Sequence, residues 1–406
     1  MTKSSFLTAR QAADLLEVSL PTLYAYVSRG LIHSQASGEG HQHVYQREDV
    51  EILMARKQQR RDPARAVQQA LHWGAPILES GLTLISEGHF YYRGYDAVSL
   101  SRNQTFERLV ALLWLGDLKA PLVILPAPAG DPVAEVYPHI FAETGDASTV
   151  EAFQIALTRL SVHDQAAYDL RQTAVVQAGT RILRQLTTVA ARNHPLTASG
   201  IAQALQRSWI PQTPAAAGLI NTALALSIDH ELNVSTFTAR CVASAGSSPY
   251  AVVIAGLSAL QGVKHGGMLR RVAALFDEVR APGNAARVLS NRMKRGETIP
   301  GFGHPLYPEG DPRGRLLLSL TEEAFPGSTA FAQEIATAAF ELIAEQPTID
   351  FGLVVLARAL TLTTDQAMAL FALGRVAGWI AHALEQYQSD QLIRPRARYV
   401  GPPPRT

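Results

Sequence analysis

The hydrophobic periodicity between about Ala66 and Val400 leaves little choice of architecture. Long Ala- and Leu-rich stretches recur there at helical spacing and alternating β-branched runs are few, so most of the chain is expected to be α-helical. One segment departs from the pattern. In Thr83–Arg93 a Glu87-Gly88 step separates two short alternating runs, which reads as a small hairpin. A chain of 406 residues has room for two or three domains. Its 47% hydrophobic and 17% charged residues are a globular balance rather than a disordered one. The 36 Lys+Arg and 35 Asp+Glu leave a net charge of +1, which argues against coating nucleic acid along the whole surface but leaves room for a small basic module. Cys241 is the single cysteine, so an intramolecular disulfide framework and a Cys-rich zinc ribbon are both excluded. The first residues, Met1 to Leu7, hold no apolar core of signal-peptide length. The longest apolar stretch, Tyr250 to Leu260, is too short to span a bilayer. A cytoplasmic protein with no membrane partner is expected.

Residues 1–62 form a zone of their own, closing on the charged run Ala55 to Asp62 before Pro63. Residues 6–32 read as two short helices. Thr8 and Gln11 fit a capping box, and Ala12, Ala13, Leu15 and Leu16 make one apolar face. Glu17-Val18-Ser19 makes the turn, Ser19 suits the next N-cap, Pro21 sits in the first turn and Gly30 suits a left-handed exit. Leu23 and Val27 then point inward, leaving Thr22, Tyr24, Ser28 and Arg29 free to meet a major groove. Ile32-His33 and His43-Val44-Tyr45 flank the turn Ser37 to Gly40 like the strands of a wing, and Arg47 to Asp49 opens a third helix. The His41/His43 pair lacks a carboxylate or thiolate neighbour, so it reads as wing surface and no metal site is expected. This module resembles the winged helix-turn-helix of MerR and excisionase-type proteins, and the resemblance implies a duplex DNA partner.

The residues that carry chemistry lie in 229–394. They run Asp229-His230-Glu231-Leu232-Asn233, Gly262 to Gly267 around His265, Ile299 to Pro305 around His304, Asp311-Pro312-Arg313, Asp350-Phe351-Gly352, Leu373 to His382 around Arg375, and Arg394-Pro395-Arg396. His265 sits in a Gly-bounded loop where backbone can approach a ligand closely. His304 lies between Gly303 and Pro305 and so cannot be a mid-helix core residue. Arginines suit bidentate recognition of carboxylates. Such a set fits a small di-acid substrate and general acid–base chemistry at a carbonyl.

In this order the motifs resemble citrate synthase, from roughly Leu71 to Tyr399. The stretch Glu87 to Tyr95 and the run Leu112 to Gly116 look like that family's hairpin and first long helix. The resemblance implies a mainly α, two-domain fold, with a large domain over 66–264 and 351–400 and a small domain over 265–350, preceded by the winged helix-turn-helix. It implies condensation of acetyl-CoA with oxaloacetate, or of propionyl-CoA to methylcitrate, with acyl-CoA as substrate and no cofactor. Asp350 would be the base and His265 the acid in enolisation, with His304 polarising the ketone. His230, Arg313 and Arg375 would hold the oxaloacetate carboxylates, and Arg394 would reach across a homodimer. The CoA channel departs from the family's usual wording at Met268 to Arg271, Pro305 to Glu309 and Gly352 to Val354. Lys264, Arg270, Arg271, Arg292, Lys294 and Arg295 are the candidates for its phosphate contacts. A metabolite-sensing DNA-binding regulator built on the same body is the alternative reading.

Overall fold

A computed structural model describes residues 6–36, 43–47, 49–51, 53–54, 78–121, 136–192 and 200–404, and the chain divides into two units, Met1–Glu79 and Ser80–Thr406. The turn Ser37 to Gly40, His41, the charged run Ala55 to Asp62 and Pro63 lie outside the described residues.

In the first unit Thr8 caps the helix Ala9–Leu16 in a reciprocal box with Gln11. The cap's extended backbone continues upstream, so Phe6–Thr8 is a strand and not the helix start expected from residue 6. It pairs antiparallel with His43–Gln46, whose other edge takes Ser34–Ala36; the wing thus gains a third strand. Glu17, in the left-handed region at φ 51°, turns the chain into the helix Leu20–Ser28, and Gly30 at φ 70° leads out of it. Ser19 occupies the N-cap, but its hydroxyl meets the Thr22 hydroxyl at 2.9 Å instead of a backbone N–H. Leu7, Leu16, Leu23, Ile32, Tyr45 and Val50 share a core. Helical backbone resumes at residues 47, 49–51 and 53–54.

The second unit opens on the expected hairpin. Thr83–Ser86 pairs with His89–Tyr92, Thr83 opposite Tyr92, and Tyr95–Asp96 adds a third strand. Glu87 (φ 50°) and Gly88 (φ 77°) both take the left-handed backbone that a tight two-residue turn requires. The remaining regular structure is helical. At its centre lies Thr364–Ser389, enclosed on all sides from Ala367 to Leu384. The helices Phe106–Leu115, Thr149–Ser161, Gln172–Ala190, Ala216–Leu226, Val234–Ser244 and Pro249–Leu260 pack around it. A helix apolar on every face needs such a jacket. Among the described residues this helix, longer than the Tyr250 to Leu260 stretch, could cross a bilayer by length and composition alone. The burial of its apolar stretch in the helical body accounts for that hydropathy.

Two glycines on this helix set the position of the chemistry. A Cβ on Gly378 would lie 2.0 Å from the Ile228 carbonyl oxygen, and one on Gly374 would lie 2.6 Å from the Ser227 side chain. Their bare backbone lets the segment Ser227 to His230 run directly against the helix. Gly378→Ala is therefore expected to destabilise the protein by about 2–3 kcal/mol or to prevent folding, because overpacking outweighs the better helix propensity of alanine. Gly218, in the helix Ala216–Leu226, has open space where its Cβ would stand. Gly218→Ala should stabilise by about 0.5–1 kcal/mol. Urea-denaturation midpoints of the two variants check both signs.

Candidate active site

Several elements bring the polar groups together. The loop before Val234–Ser244 supplies Asp229 and His230, and the loop ending at Gly267 supplies His265. The segment Gly301 to Asp311 supplies His304 and Tyr307 and leads into the helix Pro312–Ala324 with Arg313; Arg375 projects from the central helix. His230 and His304 meet edge to face with ring centroids 5.0 Å apart. Tyr307 lies against both, 5.5 Å from His230 and 5.2 Å from His304, and its hydroxyl is 2.9 Å from His230 Nε2. The Arg313 guanidinium stacks over the Tyr307 ring at 5.5 Å and over Phe90 of the hairpin at 5.9 Å.

Arg313 is locked. Asp311 caps its helix and accepts from the Arg313 N–H at 3.0 Å, from Nε at 2.9 Å and from Nη2 at 2.8 Å, while its second oxygen also accepts from the Ile349 N–H at 3.0 Å. Burial pushes the Asp311 carboxyl up, but Arg313 outweighs it and holds it below the usual carboxylate range. Arg375 is the opposite case. It is buried, its guanidinium lies over Phe371 at 5.1 Å, and its Nε and Nη1 have no hydrogen-bond partner among the described residues. Burial lowers its pKa to about 10, so it stays a cation at neutral pH.

His230, His265 and His304 are neutral at pH 7. Burial, with Arg313 and then Arg375, lowers His230 well below its ordinary value. Burial and then Arg313 lower His304 to about 4, and burial and then Arg375 lower His265 to about 4. The Leu306 N–H donates to His304 Nδ1 at 3.2 Å, so the neutral ring carries its proton on Nε2 and can donate it. His265 Nε2 lies 2.7 Å from Ser235 Oγ, and Ser235 Oγ lies 2.7 Å from Asn233 Oδ1, the N-cap oxygen of the helix Val234–Ser244. Asp350 stands in the first turn of Ile349–Ala359. Burial raises its carboxyl to about 6, against the pull of Arg313 and Arg375. Such a pocket can grip a small di-acid, donate to a carbonyl and remove a proton.

The other expected site residues are placed as follows. Arg394 is exposed in the extended segment after the central helix and forms no ion pair among the described residues. Arg270 pairs with Asp365 at 3.2 Å, and Arg295 is 3.3 Å from Glu278 and 2.6 Å from Glu297. Arg292 pairs with the same two glutamates. Lys264 and Lys294 are exposed and meet no carboxylate among the described residues, and the Arg271 guanidinium donates to the Thr298 hydroxyl at 2.7 Å. In the first unit Tyr24 and Arg29 are exposed, whereas Thr22 is engaged by Ser19 and the Ser28 hydroxyl is turned onto the Ala25 carbonyl. Sequence reasoning missed Tyr307 and Ser235. The available signals were a tyrosine three residues after His304 in the same loop and a serine just after an asparagine N-cap.

Residues 70–396 match the family described as citrate synthase, C-terminal domain, and residues 6–58 match a helix-turn-helix domain. The chain is 29% identical over 360 residues to citrate synthase 2 of Bacillus subtilis, covering 81% of this chain and 95% of that one. It is 27% identical over 347 residues to the 2-methylcitrate synthase of Shewanella oneidensis, covering 79% and 91% respectively. The crystal structure of citrate synthase from Thermotoga maritima superposes with a TM-score of 0.68 at 27% identity, over 81% of this chain and 94% of that one. The chain belongs to the citrate synthase family and is an enzyme of that type, with a helix-turn-helix domain at its N-terminus.

The locked pair gives a check on the site's architecture. Asp311→Asn leaves the buried Arg313 without its counter-charge and is expected to cost about 3–5 kcal/mol of stability in urea denaturation.

Proposed function

We propose that the chain condenses acetyl-CoA with oxaloacetate to give citrate and CoA. The observation that carries this reading is Arg375, a buried cation with two unpartnered N–H edges beside His230, His304 and Arg313. Buried charges are ordinarily paired, so this fork suits one carboxylate of a small di-acid. Arg313 and His230 take part in holding the substrate, and His304 Nε2–H donates to the ketone oxygen.

Asp350, ionised above about pH 6, removes a methyl proton of the acetyl group. His265 donates to the thioester oxygen as the enol forms. The one proton of the Ser235 hydroxyl goes to Asn233 Oδ1 in this structure; when it turns to His265 Nε2 instead, the ring proton stands on Nδ1 and is available for this. The nucleophilic carbon then bonds to the oxaloacetate ketone carbon, and the ketone oxygen takes up the proton offered by His304. Water cleaves the resulting thioester, releasing CoA thiol and citrate. Propionyl-CoA in the same sequence gives methylcitrate, the product after which the Shewanella relative is named. The reaction so drawn calls on no cofactor beyond the acyl-CoA substrate. Lys264, Arg271 and Lys294 are the cations for CoA phosphates, since carboxylates already occupy Arg270, Arg292 and Arg295. Arg394 of the partner subunit of a homodimer completes the carboxylate site.

The test follows free-thiol release by the full chain with oxaloacetate and acetyl-CoA or propionyl-CoA in parallel. Release should depend on oxaloacetate and fall by about 10²–10⁴-fold in Asp350→Ala. Its acid limb should have a midpoint near pH 6, because Asp350 is the base only when ionised and the histidines are already neutral there. Unchanged turnover in Asp350→Ala sinks the catalytic assignment.

A second reading concerns the first unit, where Tyr24 and Arg29 stand outward on the second helix and its exit. It is a duplex DNA contact, and a folded protein that releases no thiol with either thioester would shift the weight to a metabolite-sensing regulator. In fluorescence anisotropy at low salt, Tyr24→Ala and Arg29→Ala should each weaken duplex binding by about tenfold, and added salt should weaken it further.

A further inference from the structure

Two arginines serve this site and the fold treats them differently. Arg313 is gripped by its own carboxylate, Asp311, at Nε and Nη2. Arg375 also has a buried carboxylate facing it, Asp229, yet no hydrogen bond joins them. Both Asp229 oxygens are already engaged. Thr83 of the hairpin donates to Oδ2 at 2.6 Å, and His382 Nε2 donates to Oδ1 at 3.2 Å. Arg375, Gly378 and His382 share one face of the central helix at three- and four-residue spacing. A Cβ on Gly378 would stand 3.3 Å from the Asp229 Cβ, which places Asp229 against that face. Asp229, His382 and Arg375 are all buried, so bulk solvent screens the field between the carboxylate and the guanidinium only weakly.

We propose that Asp229 is a positioning residue: a buried counter-charge that balances Arg375 while Thr83 and His382 hold its two oxygens off the guanidinium, keeping the fork of Arg375 open for a substrate carboxylate. This rests on the di-acid reading of the site. It deepens that reading by explaining how a buried arginine remains both charged and unpaired. Groups facing Arg375 come from several elements: Asp229 and His230 from the loop before Val234–Ser244, Tyr92 from the hairpin, His265 from its Gly-rich loop, His304, Tyr307 and Arg313 around the start of Pro312–Ala324, and Asp350. Among them Asp229 makes the largest contribution favouring the cation, and Arg313 opposes it. Burial pushes the Asp229 carboxyl up, but His382, then Arg375 and Thr83, outweigh burial and keep it below the ordinary carboxylate value.

Asp229→Asn keeps the shape and removes the charge. Without it, Arg375 loses its proton at lower pH, so the fork weakens as pH rises. The experiment titrates freshly dissolved oxaloacetate into the full chain by calorimetry between pH 7 and 9, and follows thiol release over the same range. Wild-type affinity should stay flat across the range. The variant should bind more weakly at pH 7 and lose about a further twofold by pH 9 for a fall of about one unit from the Arg375 value of about 10, with KM for oxaloacetate rising far more than kcat falls. A merely structural loss would weaken binding equally at every pH, and a variant curve parallel to wild type overturns the proposal. If Asp229→Asn does not fold, Thr83→Val carries the test. It releases Oδ2 to turn onto Arg375, so KM for oxaloacetate should rise while kcat holds, and Thr83→Ser, which keeps the hydroxyl, should restore wild-type affinity; unchanged affinity in Thr83→Val, or no rescue by Thr83→Ser, overturns the proposal. Wild-type protein that binds no oxaloacetate at any pH would bring down the di-acid reading itself, an outcome distinct from the other two.

Discussion

The close approach of the segment Ser227 to His230 to the middle of the central helix is the constraint on which the site depends. Gly374 and Gly378 make it possible, because any side chain there would collide with Ser227 or the Ile228 carbonyl. That contact sets Asp229 against the helix face that also bears Arg375 and His382, and His230 follows into the pocket. A guanidinium at the centre of an apolar helix is costly to bury alone. Here the cost is offset by a carboxylate across the contact, and the fork remains free because other groups hold that carboxylate.

One environment produces two protonation patterns. Burial favours the neutral form of every titratable group in the pocket, and the cations of Arg313 and Arg375 disfavour any further positive charge. For the histidines both effects act downward, leaving His265 and His304 at about 4. For Asp350 they oppose each other, and the result, about 6, leaves the carboxylate ionised at neutral pH. Neutral imidazoles and an ionised carboxylate therefore coexist within one pocket.

Much of the fold was legible because its signals are local. The Glu87-Gly88 turn, the Thr8/Gln11 box and the helical period of the body each lie within a few residues. The strand Phe6–Thr8 was missed because only pairing with His43–Gln46, far along the chain, makes it a strand. The candidate site residues His230, His265, His304, Asp350, Arg313 and Arg375 could be named from the chemistry of their types and from the resemblance of the motifs around them to citrate synthase. Their supports could not. Tyr307 reaches His230 across 77 positions, Ser235 reaches His265 across 30, and His382 reaches Asp229 across 153. Nothing in a run of letters marks such pairs.

The sequence by itself determined that this chain is a helical body with a small helix-turn-helix module, and which side chains could carry acid–base work on a di-acid, because periodicity, caps and residue chemistry are local properties. Only the tertiary structure decided which arginine is locked and which is open, and which way the His304 proton points. It also put an apolar helix long enough for a bilayer at the centre of the helical body. Those outcomes depend on burial and on partners brought together from distant parts of the chain, and low dielectric turns such contacts into differences of charge state.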